Sequence, residues 1–221
     1  MEFSVTLIII IFTCLTSYYG WKNPEFINKN LFTPYIIKAD GAYGRFLTSG
    51  FIHKDGTHLL FNMFTFYFFG NVVESYLNYA FGQELGIVTF VLFYLIAIII
   101  ADIPTYLKEQ DNPSYHALGA SGGTSATVFA SIILMPLSDI CIFGIFCLPG
   151  FILGILFLAY AFYKGRTGGD NINHDAHFYG AVFGILVIVL ISPENALHFW
   201  EQVKNFRLCS RLGLKNQSSI C

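Results

Sequence analysis

Six predominantly apolar stretches, at roughly 3–20, 57–78, 84–103, 117–135, 148–163 and 174–192, leave this chain few ways to fold. About 20 apolar residues is the length that crosses a bilayer as a helix, and in hydrocarbon every backbone N–H and C=O must find its partner within the protein. The expected fold class is therefore an all-α membrane protein with six transmembrane helices. The composition agrees: 55% of the 221 residues are hydrophobic and 12% are charged, with 24 Phe and 13 Tyr, far from the usual soluble balance. Between the first two stretches, Trp21 to Gly56 mixes aromatic residues (Phe26, Phe32, Tyr35, Tyr43, Phe46, Phe51) with charges, which suits a long interfacial first loop. The first stretch has no Lys or Arg before it and no A-x-A site, so it reads as a first transmembrane helix and not as a removed signal peptide.

A formal net charge of −2 gives no basic surface for nucleic acid. Cys14, Cys141, Cys147, Cys209 and Cys221 show no C-x-x-C spacing, and their odd number reads as apolar fillers and tail thiols instead of a disulfide framework. With both termini on the cytoplasmic side, the outer connections would hold Lys22, Lys29, Lys38, Arg45, Lys54, Lys108, Lys164 and Arg166, against Lys204, Arg207, Arg211 and Lys215 inside. That count opposes the positive-inside trend.

Alternating the spans places His58, Ser121 and His177, which open the second, fourth and sixth stretches, near one membrane face. A neutral imidazole is the commonest base to take the proton from a serine nucleophile, so Ser121 and His177 can form a dyad if their helices touch. Gly119 and Gly123 on one, and Gly180 and Gly184 on the other, are small residues four apart that let helices approach closely. The bland alternative is that these glycines only pack helices and that Ser121 bonds back to its own helix. His58 and Asn62, four apart on one helical face, can aim at one spot. Together with the Ser121 N–H they would supply donors to the oxyanion of an acyl-transfer step.

On these residues the chain resembles the rhomboid family of intramembrane proteases. Gly119-Ala120-Ser121-Gly122 matches its G-x-S-G, His58-x-x-x-Asn62 its H-x-x-x-N, and Ala176-His177-x-x-Gly180-x-x-x-Gly184 its A-H-x-x-G-x-x-x-G. The resemblance spans about residues 40–190. It implies a six-helix rhomboid core (about 40–192) within a domain over 1–200, followed by a polar tail over 201–221. Ser121 is then the nucleophile, His177 the general base, and His58 with Asn62 the oxyanion side, with Gly119, Gly122, Gly180 and Gly184 as supporting motif residues. Glu74 matches a structural position that would hold the first connection. Two departures stand out: the place four after the nucleophile, aromatic in some relatives, is Ser125, and the Trp-Arg pair of the first connection is reduced to Gly44-Arg45 after Tyr43.

The resemblance implies a serine endopeptidase that cleaves transmembrane segments of protein substrates in the lipid bilayer, with no cofactor and no metal. The substrate would enter between the aromatic-rich second and fifth helices and unwind locally, under a mobile cap formed by Gly165, Gly168 and Gly169. Asn173, His174, Asp175 and His116 would form a polar mouth, with His53, His116 and His198 at the interface and Asp102 at a helix end before Pro104, in reach of water. Two rivals remain. One is a metalloenzyme using His174, His177, His53, His58 and His116 with Asp175, although no H-E-x-x-H is present. The other is a non-proteolytic rhomboid-like protein that binds membrane helices. The frequent Ile, Phe and Asn suggest a bacterial inner (cell) membrane.

Overall fold

A computed structural model describes residues 4–142 and 144–206. Among these, ten α-helices and one two-stranded hairpin are present. Six long helices follow the six apolar stretches: α1 (Val5–Lys22), α5 (Gly56–Phe81), α6 (Gln83–Glu109), α7 (Ser121–Leu134), α8 (Gly150–Thr167) and α9 (His174–Ile191). Three of them, α1, α6 and α9, are long and apolar enough to cross a membrane. The first connection is folded into α2 (Pro24–Asn30), α3 (Pro34–Asp40), α4 (Arg45–Thr48) and a 3-10 turn at Ser49–Phe51. β1 (Asp139–Ile142) pairs antiparallel with β2 (Phe146–Pro149) between α7 and α8, and α10 (Glu194–Lys204) follows α9.

Local chemistry sets the helix ends. Asn23 closes α1 and opens α2, its side-chain oxygen accepting from Phe26 N–H at 3.1 Å with Pro24 next in line, a position where proline's missing N–H costs nothing. Asp55 caps α5 through His58 N–H at 2.8 Å, and Asn173 caps α9 through Ala176 N–H at 3.1 Å. Pro104 lies inside α6, which continues to Glu109. Asp102 therefore sits within a helix and not at its end, and it accepts from Asn173 Nδ2 at 3.1 Å.

α7 is the centre of the bundle. It packs against α5, α6, α8 and α9, and residues 122–127 and 129–133 are buried. Its composition explains the position, because in lipid the hydrophobic effect does not drive helices together and close contact depends on small side chains. A Cβ on Gly180 would overlap the Gly122 carbonyl oxygen, and one on Gly184 would overlap that of Ala126. At 14 residues, α7 is about 21 Å long, short of a ~30 Å hydrocarbon layer.

Contacts at both ends fix the helix directions. Val5 N–H and Thr6 N–H bond Glu74 at 2.7 and 2.9 Å, while Ser17 at the other end of α1 meets His53. Gly119, just before α7, packs on His58 near the start of α5, and Ser131 Oγ donates to Phe69 O at 3.1 Å further along both, so α7 runs parallel to α5. The openings of α5, α7 and α9 accordingly lie at one end of the bundle.

Several expectations need correction. Glu74 is structural but grips the N-terminus of α1, not the first connection: the Thr6 and Ser4 hydroxyls join the two N–H groups on its carboxylate, at 2.6 and 3.0 Å. Cys141 and Cys147 form a disulfide across the hairpin, since the β-turn sets them opposite each other in register. Cys14 is a free thiol, while Cys209 and Cys221 lie outside the described residues. His53, expected at an interface, is fully buried.

Candidate active site

Ser121 is the first residue of α7, with Ala120 as N-cap. The first bond of the helix is Thr124 N–H to Ala120 O at 2.9 Å, so the N–H groups of Ser121, Gly122 and Gly123 have no carbonyl within α7 to meet. These unpaired donors and the positive end of the helix dipole coincide at the serine, an arrangement that favours a nearby oxyanion. The chain reaches this point through Gly119, whose φ of +118° is one that only glycine adopts freely. Gly119 N–H donates to Ser49 O at 2.9 Å.

His58 presses on the same turn. A Cβ on Gly119 would stand 2.6 Å from His58 Cε1 and 2.8 Å from Nε2, so glycine is required here for space as well as for φ. Asn62 is buried, and one of its amide N–H groups donates to His58 O at 3.0 Å. The second N–H remains for other use.

His177 reaches the site from α9. Gly122 packs against Ala176, where a Cβ would lie 3.7 Å from Ala176 O and 3.9 Å from Ala176 Cβ. Ser121 and His177 are the next residues along each helix from this close approach, and both are half-buried. No hydrogen bond joins Ser121 to His177. Phe157 of α8 lies over the His177 ring, with centroids 6.1 Å and planes 29° apart, and His174 meets it edge-on at 5.9 Å.

Sequence reasoning missed His53. Its Nε2 accepts from Ala120 N–H at 3.3 Å, which places the ring proton on Nδ1, 3.0 Å from Ser17 Oγ. Trp21 Nε1 donates to His53 O at 2.8 Å. One imidazole thus ties the end of α1 to the residue before Ser121. Burial pushes its pKa down to about 3, with His58 nearby acting the same way and Asp55 opposing, so the ring is neutral. An isolated histidine among aromatic residues carries no signal of this role.

Behind Ser121 lies a cavity of about 20 Å³ lined by Ser49, Asp102, Ser121 and Asn173 among others, roughly the space of one water. The cap over the mouth is pinned. Asp170 meets Lys164 Nζ at 3.2 Å and His174 Nε2 at 3.0 Å, and Lys108 Nζ reaches Gly165 O at 2.9 Å and Asp175 at 3.2 Å. Gly168 and Gly169 have φ of +63° and +98°. His174 is buried, while His116 and His198 are exposed. Among the described residues, no three His, Cys, Asp or Glu side chains are grouped to hold a metal ion.

Residues 40–194 match the Rhomboid domain. The chain belongs to the rhomboid family. As a rhomboid it is a membrane protein, and the matched span holds all three motifs. Two relatives from Arabidopsis thaliana are similar. RHOMBOID-like protein 12, mitochondrial, is 27% identical over 172 residues, covering 73% of this chain and 51% of the relative. Rhomboid-like protein 11, chloroplastic, is 28% identical over 183 residues, covering 77% of this chain and 60% of the relative. This rhomboid thus spans between half and three-fifths of the length of these relatives.

Proposed function

We propose that this rhomboid is an intramembrane serine endopeptidase acting on transmembrane segments of other proteins, with six membrane-spanning helices in a domain over 1–200 and a polar tail over 201–221. The observation that carries it is the start of α7. There Ser121 brings unpaired backbone N–H groups to the point where α7 and α9 touch through Gly122, Ala176 and Gly180.

In this reading His177 takes the Ser121 Oγ proton as Oγ bonds to the scissile carbonyl carbon. The oxyanion meets the Ser121 N–H with His58 and Asn62, groups worth roughly 3–4 kcal/mol each in comparable sites. The C–N bond then breaks and His177 returns the proton to the leaving amine. A water, deprotonated by His177, attacks the ester; the C–Oγ bond breaks, Ser121 Oγ takes the proton back from His177, and the acid is freed. The resting separation of Ser121 and His177 has to shorten when substrate binds, as catalytic hydrogen bonds commonly do. A substrate helix must also unwind locally, because its carbonyls are otherwise held in its own hydrogen bonds.

The absence of that hydrogen bond is the observation that favours a second reading, a non-proteolytic rhomboid that binds membrane helices. A bacterial inner membrane rests on residue frequencies alone, whereas both named relatives are organellar. The deciding experiment is cleavage of a panel of helix-destabilised transmembrane substrates by purified protein in lipid, beside Ser121→Ala and His177→Ala and with a chelator. Cleavage lost in both variants and indifferent to chelator supports the dyad. Loss on chelation points to a metal, and binding without cleavage points to the second reading.

A further inference from the structure

A histidine that must present one nitrogen to a serine needs its ring held, and the fourth residue after the serine, Ser125, is too short to cover it. The ring that lies on His177 belongs to Phe157 of α8, in an offset stack with centroids 6.1 Å apart and planes at 29°, within the range where aromatic faces attract. Phe157 is braced in turn by Phe129 of α7, at 5.8 Å. Three residues earlier on α8, Gly154 permits the approach, since a Cβ there would stand 3.2 Å from Phe129 Cε1 and 3.1 Å from Ile132 Cδ1. On the edge of the imidazole, His174 is itself fixed by Asp170 and by Tyr160 of α8.

We propose that Phe157 is the positioning residue for His177, so that the orientation of the general base is set by α8 and not by the helix that carries the nucleophile. Only Gly150, Gly154 and Ala161 of α8 are buried, and the rest of the helix faces outward or is half-covered. Any displacement of α8 from α9 slides Phe157 off the imidazole. The arrangement of the dyad is therefore linked to the seating of α8. The functional meaning of this stack rests on the dyad reading above, while the stack itself does not.

The test uses the full chain in lipid nanodiscs with isotope-labelled histidine, His177 being assigned by its loss in His177→Gln. Phe157→Leu keeps apolar volume without a ring, Phe157→Met serves the same purpose if the leucine variant does not fold, and Phe157→Tyr restores the ring. Expected in Phe157→Leu is a downfield move of the His177 ring-proton resonances as the ring current disappears. kcat should fall about tenfold with KM little changed, the factor that corresponds to ~1.4 kcal/mol for an aromatic pair, and Phe157→Tyr should recover both. Unmoved His177 resonances, or moved resonances with unchanged kcat, overturn the proposal. If the wild type cleaves nothing while the resonances still move on losing the ring, the positioning contact stands and the protease reading falls.

Discussion

Replacing Gly180 with alanine tests the contact on which the site depends. The added Cβ would overlap the Gly122 carbonyl oxygen and stand 3.0 Å from its carbon and 3.2 Å from Gly122 Cα. Carbon atoms rest at about 3.5–4.0 Å, so α7 and α9 must part by roughly 0.5–1 Å. Overpacking of this kind costs about 1–3 kcal/mol of stability. The same shift separates Ser121 from His177, and a misplacement near 1 Å costs on the order of 100-fold in rate. Gly184→Ala is the control. It meets Ala126 in the same way, with its carbon at 2.8 Å, but one turn further from His177. Both variants should lower the Tm comparably, and Gly180→Ala should lose far more turnover per folded molecule. Thermal unfolding and substrate cleavage in the same lipid measure both. Wild-type turnover by a folded Gly180→Ala would refute the reasoning, because the helices would then not be in the contact described.

Glu74→Ala strands the Val5 and Thr6 N–H groups and the Thr6 hydroxyl, while Ser4 keeps Asn71 Oδ1. It should cost roughly 2–4 kcal/mol and release α1 to hydrogen exchange, with turnover per folded molecule unchanged because Glu74 lies about four turns along α5 from His58. His53 is neutral when folded, with a pKa near 3 against an ordinary 6.5, so the unfolded chain binds the extra proton. Stability is then present above about pH 6.5 and lost as pH falls toward 3, by about 2 kcal/mol between pH 7 and 5. His53→Gln should flatten this slope in Tm measured against pH. Cys141 and Cys147 should take up a maleimide mass tag only after reduction. Their hairpin lies at the far end from Ser121, while the mouth end carries eight Lys and Arg against Lys204 at the other and Arg207, Arg211 and Lys215 later in the sequence. In intact membranes the disulfide end should therefore face an oxidising compartment and the mouth the positively biased side, which protease protection would contradict by showing the reverse.

The helices and the motifs of the candidate site were legible because they depend on local pattern. Long apolar runs leave no structure but helix for the backbone, Asp55 and Asn173 are caps, and Ser121, His177, His58 and Asn62 stand in motifs whose spacing sets their faces. Gly180 and Gly184 announced a close contact four residues apart. The residues that hold those groups in place were not legible, because their partners are distant in the chain. His53 reads as an interfacial histidine until its two nitrogens are seen between Ser17 and Ala120. Glu74 pairs across 68 and 69 residues of sequence with α1. Phe157 is one aromatic residue among many on α8 until the packing at Gly154 lays it on His177. Sequence by itself determined which segments are helical and which side chains are candidates for the chemistry, since both follow from period, capping and residue type. Only the tertiary structure decided which ring lies on His177 and which imidazole anchors the turn before Ser121, because those contacts come from how closely helices pack and not from any spacing along one of them.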